Sequence, residues 1–316
     1  MDCLNVQNLS KNFGSKVALD DVSLAIPDNS IFGLLGPNGA GKTTMIRIIN
    51  RIYQGDSGQI FYKNKPVSSL SPGDIGYMPE ERGLYPKMKV GEMLLFLTRL
   101  KGLSYSEAKK SILDWLEKFE ATDWWNMKVE QLSKGMQQKI QFIATVAHGP
   151  DLLILDEPFS GFDPVNAEML KREIFRLREE KGVTIIFSSH RMENVEELCS
   201  HVAMINNSKI ILNGELSEVQ SKFSDNHFKA RIKTNDFHFN DLDLDVLEVK
   251  EPGAGIFDIK FKTKSESANN ANAILRQLME KGEVESFRNV VPSLHDIFIQ
   301  LVNKKDHEQH RTGHTA

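Results

Sequence analysis

Residues 31–44 read Ile31-Phe32-Gly33-Leu34-Leu35-Gly36-Pro37-Asn38-Gly39-Ala40-Gly41-Lys42-Thr43-Thr44. The short apolar run at the start predicts a buried strand. A glycine-rich loop follows, and Met45, Ile46, Ile48 and Ile49 then recur at helical spacing. The segment from Gly36 to Thr43 fits G-x-x-x-x-G-K-[ST], with the strand before it and the helix after it that a phosphate-binding loop requires. Glycines let backbone N–H groups close around phosphate oxygens, and the helix start turns its positive dipole end toward them. Lys42 can reach the β- and γ-phosphates, and the Thr43 hydroxyl can ligate Mg²⁺. The expected phosphate site is Gly36, Pro37, Asn38, Gly39, Ala40, Gly41, Lys42, Thr43 and Thr44.

Three downstream segments belong with this loop. Leu152-Leu153-Ile154-Leu155 is an apolar strand that runs into Asp156-Glu157-Pro158. Alone it would be an ordinary strand end with an acidic turn. Beside a phosphate loop, Asp156 is placed to hold Mg²⁺, usually through water, and Glu157 to accept a proton from the attacking water. Val183 to Phe187 is another buried strand. It is followed by Ser188-Ser189-His190, which puts His190 near the C-terminal edge of a sheet, where phosphates bind. Ser133 is a good N-cap for a helix from Lys134 to Ala147, and its hydroxyl and the N–H groups after it can form an anion site. A plain capped helix explains that segment equally well.

Strands alternate with helices, as at Val165–Arg178, and so predict an α/β fold with a mostly parallel sheet. Residues 1–65 read as short strands broken by Gly, Pro and Asn. Residues 90–130 read as helical, with Ser104 and Glu107 spaced as a capping box. A helical lobe is expected over about 84–146, with Trp124 and Trp125 in its core. Near residue 225 the pattern changes. Phe228, Ala230 and Ile232 alternate with Lys229, Arg231 and Lys233, and Phe257, Ile259 and Phe261 do the same. A helix with Ala271, Ile274, Leu275 and Leu278 is expected to end at a Gly282 cap. A further strand spans Val284 to Phe287, and Ser293 starts a short helix. The expected domains are an α/β domain over 1–222 and a small α+β domain over 223–303. A polar tail over 304–316 is expected to be disordered.

Composition narrows the function. The chain has 316 residues, 40% of them hydrophobic and 26% charged, enough for two folded domains. Two cysteines, Cys3 and Cys199, give no disulfide scaffold or cysteine-held metal and fit a reducing compartment. A net charge of −4 lends no support to nucleic-acid binding. No apolar run approaches the roughly 18 residues a membrane span needs, and no signal peptide is visible. The expectation is an intracellular soluble chain that reaches a membrane through a partner.

Over roughly residues 4–220 the sequence resembles the nucleotide-binding subunit of an ABC transporter. Leu132-Ser133-Lys134-Gly135-Met136 is similar to the signature L-S-G-G-Q, with Lys134 at its first glycine and Met136 at its glutamine. Phe13 sits where the family has an aromatic that stacks on adenine. Phe159 to Asp163 match the loop after the acidic strand, and His190 matches the switch histidine. The C-terminal domain, including Pro292-Ser293-Leu294-His295-Asp296, resembles the appendage of sodium-extrusion (NatA-type) exporter subunits. The resemblance implies a P-loop ABC cassette with a mixed sheet and a helical subdomain, plus a small α+β domain. It implies ATP and Mg²⁺, and a head-to-tail homodimer or closely related heterodimer in which Ser133 and Gly135 complete the opposite site. It also implies an integral membrane permease subunit, so that the chain is peripheral on the cytoplasmic side of the membrane. The permease is expected to dock a short helix in a groove between the lobe and residues 80–90. Glu80 departs from the family, which has Gln after the strand Ile75-Gly76-Tyr77-Met78-Pro79. A carboxylate there could ligate Mg²⁺ but adds negative charge beside the γ-phosphate. The principal rival is a soluble ABC ATPase acting on ribosomes or DNA, but one phosphate loop and no long heptad coiled coil argue against it. A kinase or GTPase on the same loop would leave Ser133 to Gln138 unexplained.

Overall fold

The computed structural model describes residues 2–81, 83–223, 227–234, 244–263 and 271–302. Arg82 and the tail expected to be disordered, residues 304–316, lie outside these. Two compact units divide at Leu216 and Ser217, at the start of the helix Leu216–Lys222.

The first unit is organised by the strand Ile31–Leu35, buried at all five positions. It lies inside a six-stranded sheet ordered Lys209–Glu215, His201–Asn206, Ile31–Leu35, Thr184–Ser189, Leu152–Asp156 and Ile75–Met78. The last five run parallel, and Lys209–Glu215 pairs antiparallel at the edge. Strands buried on both faces need apolar residues at every position, which is why they read as continuous runs.

A second sheet places Asp2–Phe13 between Lys16–Pro27 and Ser57–Tyr62, with Lys65–Pro66 at its edge. Its first two strands have twelve residues each, longer than the broken pieces expected from their polar punctuation. Bulges carry those residues within the strands. Asn8 and Asp21 both adopt positive φ (48° and 52°), and the Asn8 side-chain amide donates to Asp21 Oδ1 at 2.8 Å. The helix Lys42–Ile49 turns Met45, Ile46, Ile48 and Ile49 into one apolar core with Leu4, Leu19, Phe32, Ile154 and Ile186 from the two sheets.

The helical lobe contains Val90–Leu100, Tyr105–Lys118 and Lys134–Val146. Its core is an aromatic cluster of Trp115, Phe119 and Phe142, with ring centroids 5.7–6.1 Å apart. Trp125 lies so close to Gly91 that a Cβ there would meet its ring at 2.4 Å. Trp124 is half-buried, with Lys139 Nζ 6.0 Å from its ring centre. The capping box forms: Glu107 N–H donates to Ser104 Oγ at 3.3 Å, and Ser104 N–H donates to Glu107 Oε2 at 3.0 Å. Ser104→Ala is expected to cost about 1 kcal/mol in chemical denaturation, with no effect on nucleotide affinity.

The second unit is an antiparallel sheet ordered Leu244–Gly253, Ile256–Thr263, His227–Lys233 and Glu283–Asn289. The helix Ala271–Lys281 buries Ile274 and Leu278 in a core with Phe228, Ala230, Ile232, Ile259 and Phe261. Phe228 stacks on both Phe261 (5.8 Å) and Phe287 (5.3 Å). The helix ends where Gly282 predicted, but not by a left-handed cap, because Gly282 is not among the residues with positive φ. Glycine is needed there for close approach: a Cβ would lie 2.6 Å from the Lys233 carbonyl. Ser293 Oγ accepts the Asp296 N–H at 3.1 Å and starts the helix 294–302.

Candidate functional site

The parallel strands carry their C-terminal ends to one edge of the six-stranded sheet, so residues far apart in sequence meet there. A cleft of about 550 Å³ opens at that edge. The loop and its helix contribute Asn38, Gly39, Gly41, Lys42, Thr43 and Thr44, and the ends of three neighbouring strands contribute Glu80, Asp156, Glu157 and His190. Phe13 lines the same cleft and is 43% exposed.

Backbone geometry explains two of the loop glycines. Gly36 has φ +149°, and a Cβ would meet the Ile205 carbonyl oxygen at 2.2 Å. Gly41 has φ +118°, and a Cβ would meet the Ala18 carbonyl at 2.5 Å. Lys42 Nζ donates to the carbonyls of Gly36 (2.7 Å) and Pro37 (3.1 Å), closing the loop on itself. Burial pulls the Lys42 ammonium below its ordinary pKa, and the carboxylates of Glu157, Asp156 and Glu80 push back. Gly36, Pro37 and the buried Ala40 thus form the loop's frame and do not line the cleft.

Asp156 is 1% exposed. Its Oδ1 accepts from the Ser188 hydroxyl and lies 3.5 Å from Thr43 Oγ1. Its Oδ2 is buried with no hydrogen-bond partner. A buried carboxylate oxygen left open beside a threonine hydroxyl suits a hard cation. No group of three His, Cys, Asp or Glu among the described residues could hold a metal alone. Mg²⁺ is held through one or two carboxylates and completes its shell with other oxygens, water and phosphate.

Glu157 follows directly and adopts φ +51°, the left-handed region that a non-glycine residue enters only when held there. Its N–H is bound to Ser188 through the carbonyl (3.3 Å) and the hydroxyl (3.2 Å). Glu157 Oε1 accepts the His190 backbone N–H at 2.9 Å and meets His190 Nδ1 at 2.8 Å. A carboxylate can only accept, so Nδ1 carries the proton and Nε2 is left as the free ring position.

Ser133 and Gly135 do not line this cleft. Ser133 is exposed, and its Oγ accepts the Met136 N–H at 3.3 Å, as a helix cap. The helix it starts braces the residues beside two cleft carboxylates through two buried glutamines, Gln138 at the end of the Ser133–Gln138 segment and Gln141, which the sequence did not single out. Gln138 Nε2 donates to the Pro158 carbonyl at 3.3 Å, and Gln141 Nε2 to the Pro79 carbonyl at 2.8 Å. These carbonyls flank Glu157 and Glu80. Lys16, Arg47 and Tyr53 also line the cleft without having been expected. Arg47 stands one helical turn beyond Thr43, the only local signal.

The lobe shows a second surface. Glu92, Leu95, Phe96, Arg99, Leu100 and Tyr105 line a cavity of about 440 Å³. Tyr85 meets Phe96 edge-on at 6.1 Å, and Phe96, Leu100 and Tyr105 are all exposed.

Comparison with known proteins agrees with this geometry. Residues 19–160 match the family described as ABC transporter. Residues 214–302 match the family described as ATP-binding protein DrrA1-3-like, C-terminal domain. The uncharacterized ABC transporter ATP-binding protein YhaQ of Bacillus subtilis is 45% identical over 299 residues, 95% of this chain and 98% of that one. The ABC transporter ATP-binding protein NatA of the same organism is 37% identical over 206 residues, 64% of this chain and 83% of that one. Among solved structures, the ATP binding subunit of an ABC transporter superposes with a TM-score of 0.65 at 27% identity, covering 70% of this chain and 93% of that one.

Proposed function

Starting from a chain that belongs to the ATP-binding subunits of ABC transporters, the ATPases of those systems, we propose how its residues divide the work and what they drive. The loop N–H groups and Lys42 hold the phosphates of ATP. Thr43 and Asp156 would hold Mg²⁺, with Glu80 as a third oxygen donor, and the cation would neutralise phosphate charge. Glu157 takes the proton of a water as the water oxygen bonds to the γ-phosphorus. The bond from that phosphorus to the β–γ bridging oxygen breaks, and ADP keeps the electron pair. His190 orients Glu157 through Nδ1–H, and its doubly protonated form donates through Nε2–H to a γ-phosphate oxygen. Phe13 offers its exposed face to adenine.

The observation that carries this reading is the convergence of Lys42, the Thr43–Asp156 pair and the Glu157–His190 pair in one cleft. Ser133 and Gly135 lie outside that cleft, and their use in trans follows the family resemblance. Two copies close head to tail on ATP, and each lends these residues to the other's site. This ordering transition depends on γ-phosphate contacts. A homodimer suffices, and a closely related second subunit could replace one copy. Among the described residues no helix is long and apolar enough to cross a membrane; membership in the family assigns the transport step to a permease subunit. The exposed groove at Phe96, Leu100 and Tyr105, lined by lobe residues and not by residues 80–90 where the sequence reading expects it, is the surface proposed to receive a permease helix at the cytoplasmic face of the membrane. Export is supported by the C-terminal domain and the NatA-type resemblance. No observation favours nucleic acid as a partner.

Light scattering tests the dimer. The Glu157→Gln chain is expected to be dimeric with MgATP and monomeric with MgADP, and Ser133→Ala is expected to weaken the dimer. A chain that stays monomeric with MgATP contradicts the reading.

A further inference from the structure

The helix Lys42–Ile49 serves the cleft at both ends. Lys42 and Thr43 line it at the start, Arg47 in the last turn, and Tyr53 just beyond. Tyr53 is held twice by one residue. Its backbone N–H donates to the Arg47 carbonyl at 3.2 Å, and its hydroxyl accepts from Arg47 Nη1 at 3.2 Å. The guanidinium carbon also lies 5.8 Å from the Tyr53 ring centre. The Tyr53 ring meets Phe13 edge to face, with centroids 5.4 Å apart and planes at 70°. Lys11 Nζ stands 5.5 Å from the Phe13 ring centre and is itself bound to Asp56 at 2.7 Å. Phe13, exposed at a strand end, would otherwise have to be ordered each time a ligand stacks on it.

We propose that Tyr53 is a positioning residue for the nucleobase: it fixes the exposed Phe13 ring on which a purine stacks, and Arg47 fixes Tyr53. The phosphate end and the base end of the nucleotide are thereby set by one short helix. This rests on the assignment of Phe13 to adenine, and the experiment separates the two ideas. Affinities of the full-length chain for MgADP and for magnesium pyrophosphate, which has no base, are measured by calorimetry. Tyr53→Ala is expected to weaken ADP about three- to tenfold, the range of an aromatic pair, and to leave pyrophosphate unchanged. Tyr53→Phe keeps the ring and is expected to retain most of the ADP affinity. In a Phe13→Ala chain, Tyr53→Ala should have no further effect.

An unchanged ADP affinity in Tyr53→Ala overturns the proposal. So does an equal loss for pyrophosphate, which would mark general damage to the site. A loss that persists without Phe13 also overturns it, because Tyr53 would then touch the base itself. If Phe13→Ala keeps full ADP affinity, the assignment of the base to Phe13 falls and takes the proposal with it. If Phe13→Ala weakens ADP and Tyr53→Ala does not, only the positioning role is lost.

Discussion

Glu157→Gln is expected to bind MgATP with near wild-type affinity and to hydrolyse it about 10²–10⁴-fold more slowly, the usual contribution of a positioned general base. The substitution keeps the shape and one acceptor oxygen, so the hydrogen bonds from His190 N–H and Nδ1 can persist. What it removes is the proton acceptor. That acceptor is firmly held, because the residue sits in a left-handed backbone conformation, tied at its N–H to Ser188, with its side chain fixed by His190. Single-turnover hydrolysis and equilibrium nucleotide binding on the same preparation check both halves. Turnover within threefold of wild type would remove Glu157 from the general-base role.

Lys42→Ala is expected to weaken ATP binding about 10- to 150-fold. A hydrogen bond to a charged group contributes roughly 1.5–3 kcal/mol, and Lys42 is the one loop residue that supplies it from a side chain of opposite charge. Its present partners are the carbonyls of Gly36 and Pro37, so the same change loosens the loop frame. Lys42→Gln restores a donor to those carbonyls without the charge. If both variants lose affinity alike, the charge decides. If Lys42→Gln binds like wild type, the amine acts only as a loop brace and the phosphate contact is refuted. Calorimetry with ATP, with thermal unfolding as a control, distinguishes these results.

The phosphate loop and the acidic strand end were legible in the sequence because their requirements are local. A strand buried on both faces needs consecutive apolar residues, the loop needs glycine where a Cβ would strike Ile205 or Ala18, and the chemistry needs Lys and two carboxylates at fixed positions. Residues that act across the fold left no such trace. Gln141 reaches Pro79 over 62 positions, and Tyr53 meets Phe13 only after two sheets have closed on a helix. The strand Leu244–Gly253 was not anticipated either. It is exposed along most of its length, so selection for burial did not impress a period on it. Gly282 shows a third kind of limit. The sequence marks where the helix ends, but whether glycine is needed for positive φ or for close approach depends on the neighbouring strand. Asn8 and Asp21 illustrate the same limit, because residues that commonly end strands are absorbed here as bulges within one.

ATP held in this cleft is proposed to drive a membrane subunit. The most direct test is to tag the Glu157→Gln chain, hold it with MgATP, and identify what is retained from detergent-solubilised membranes of its own host. The expected result is a polytopic membrane protein at near-equal stoichiometry, lost when Phe96 and Leu100 in the lobe groove are changed to Glu. Recovery with ribosomes or DNA and no membrane protein would contradict it.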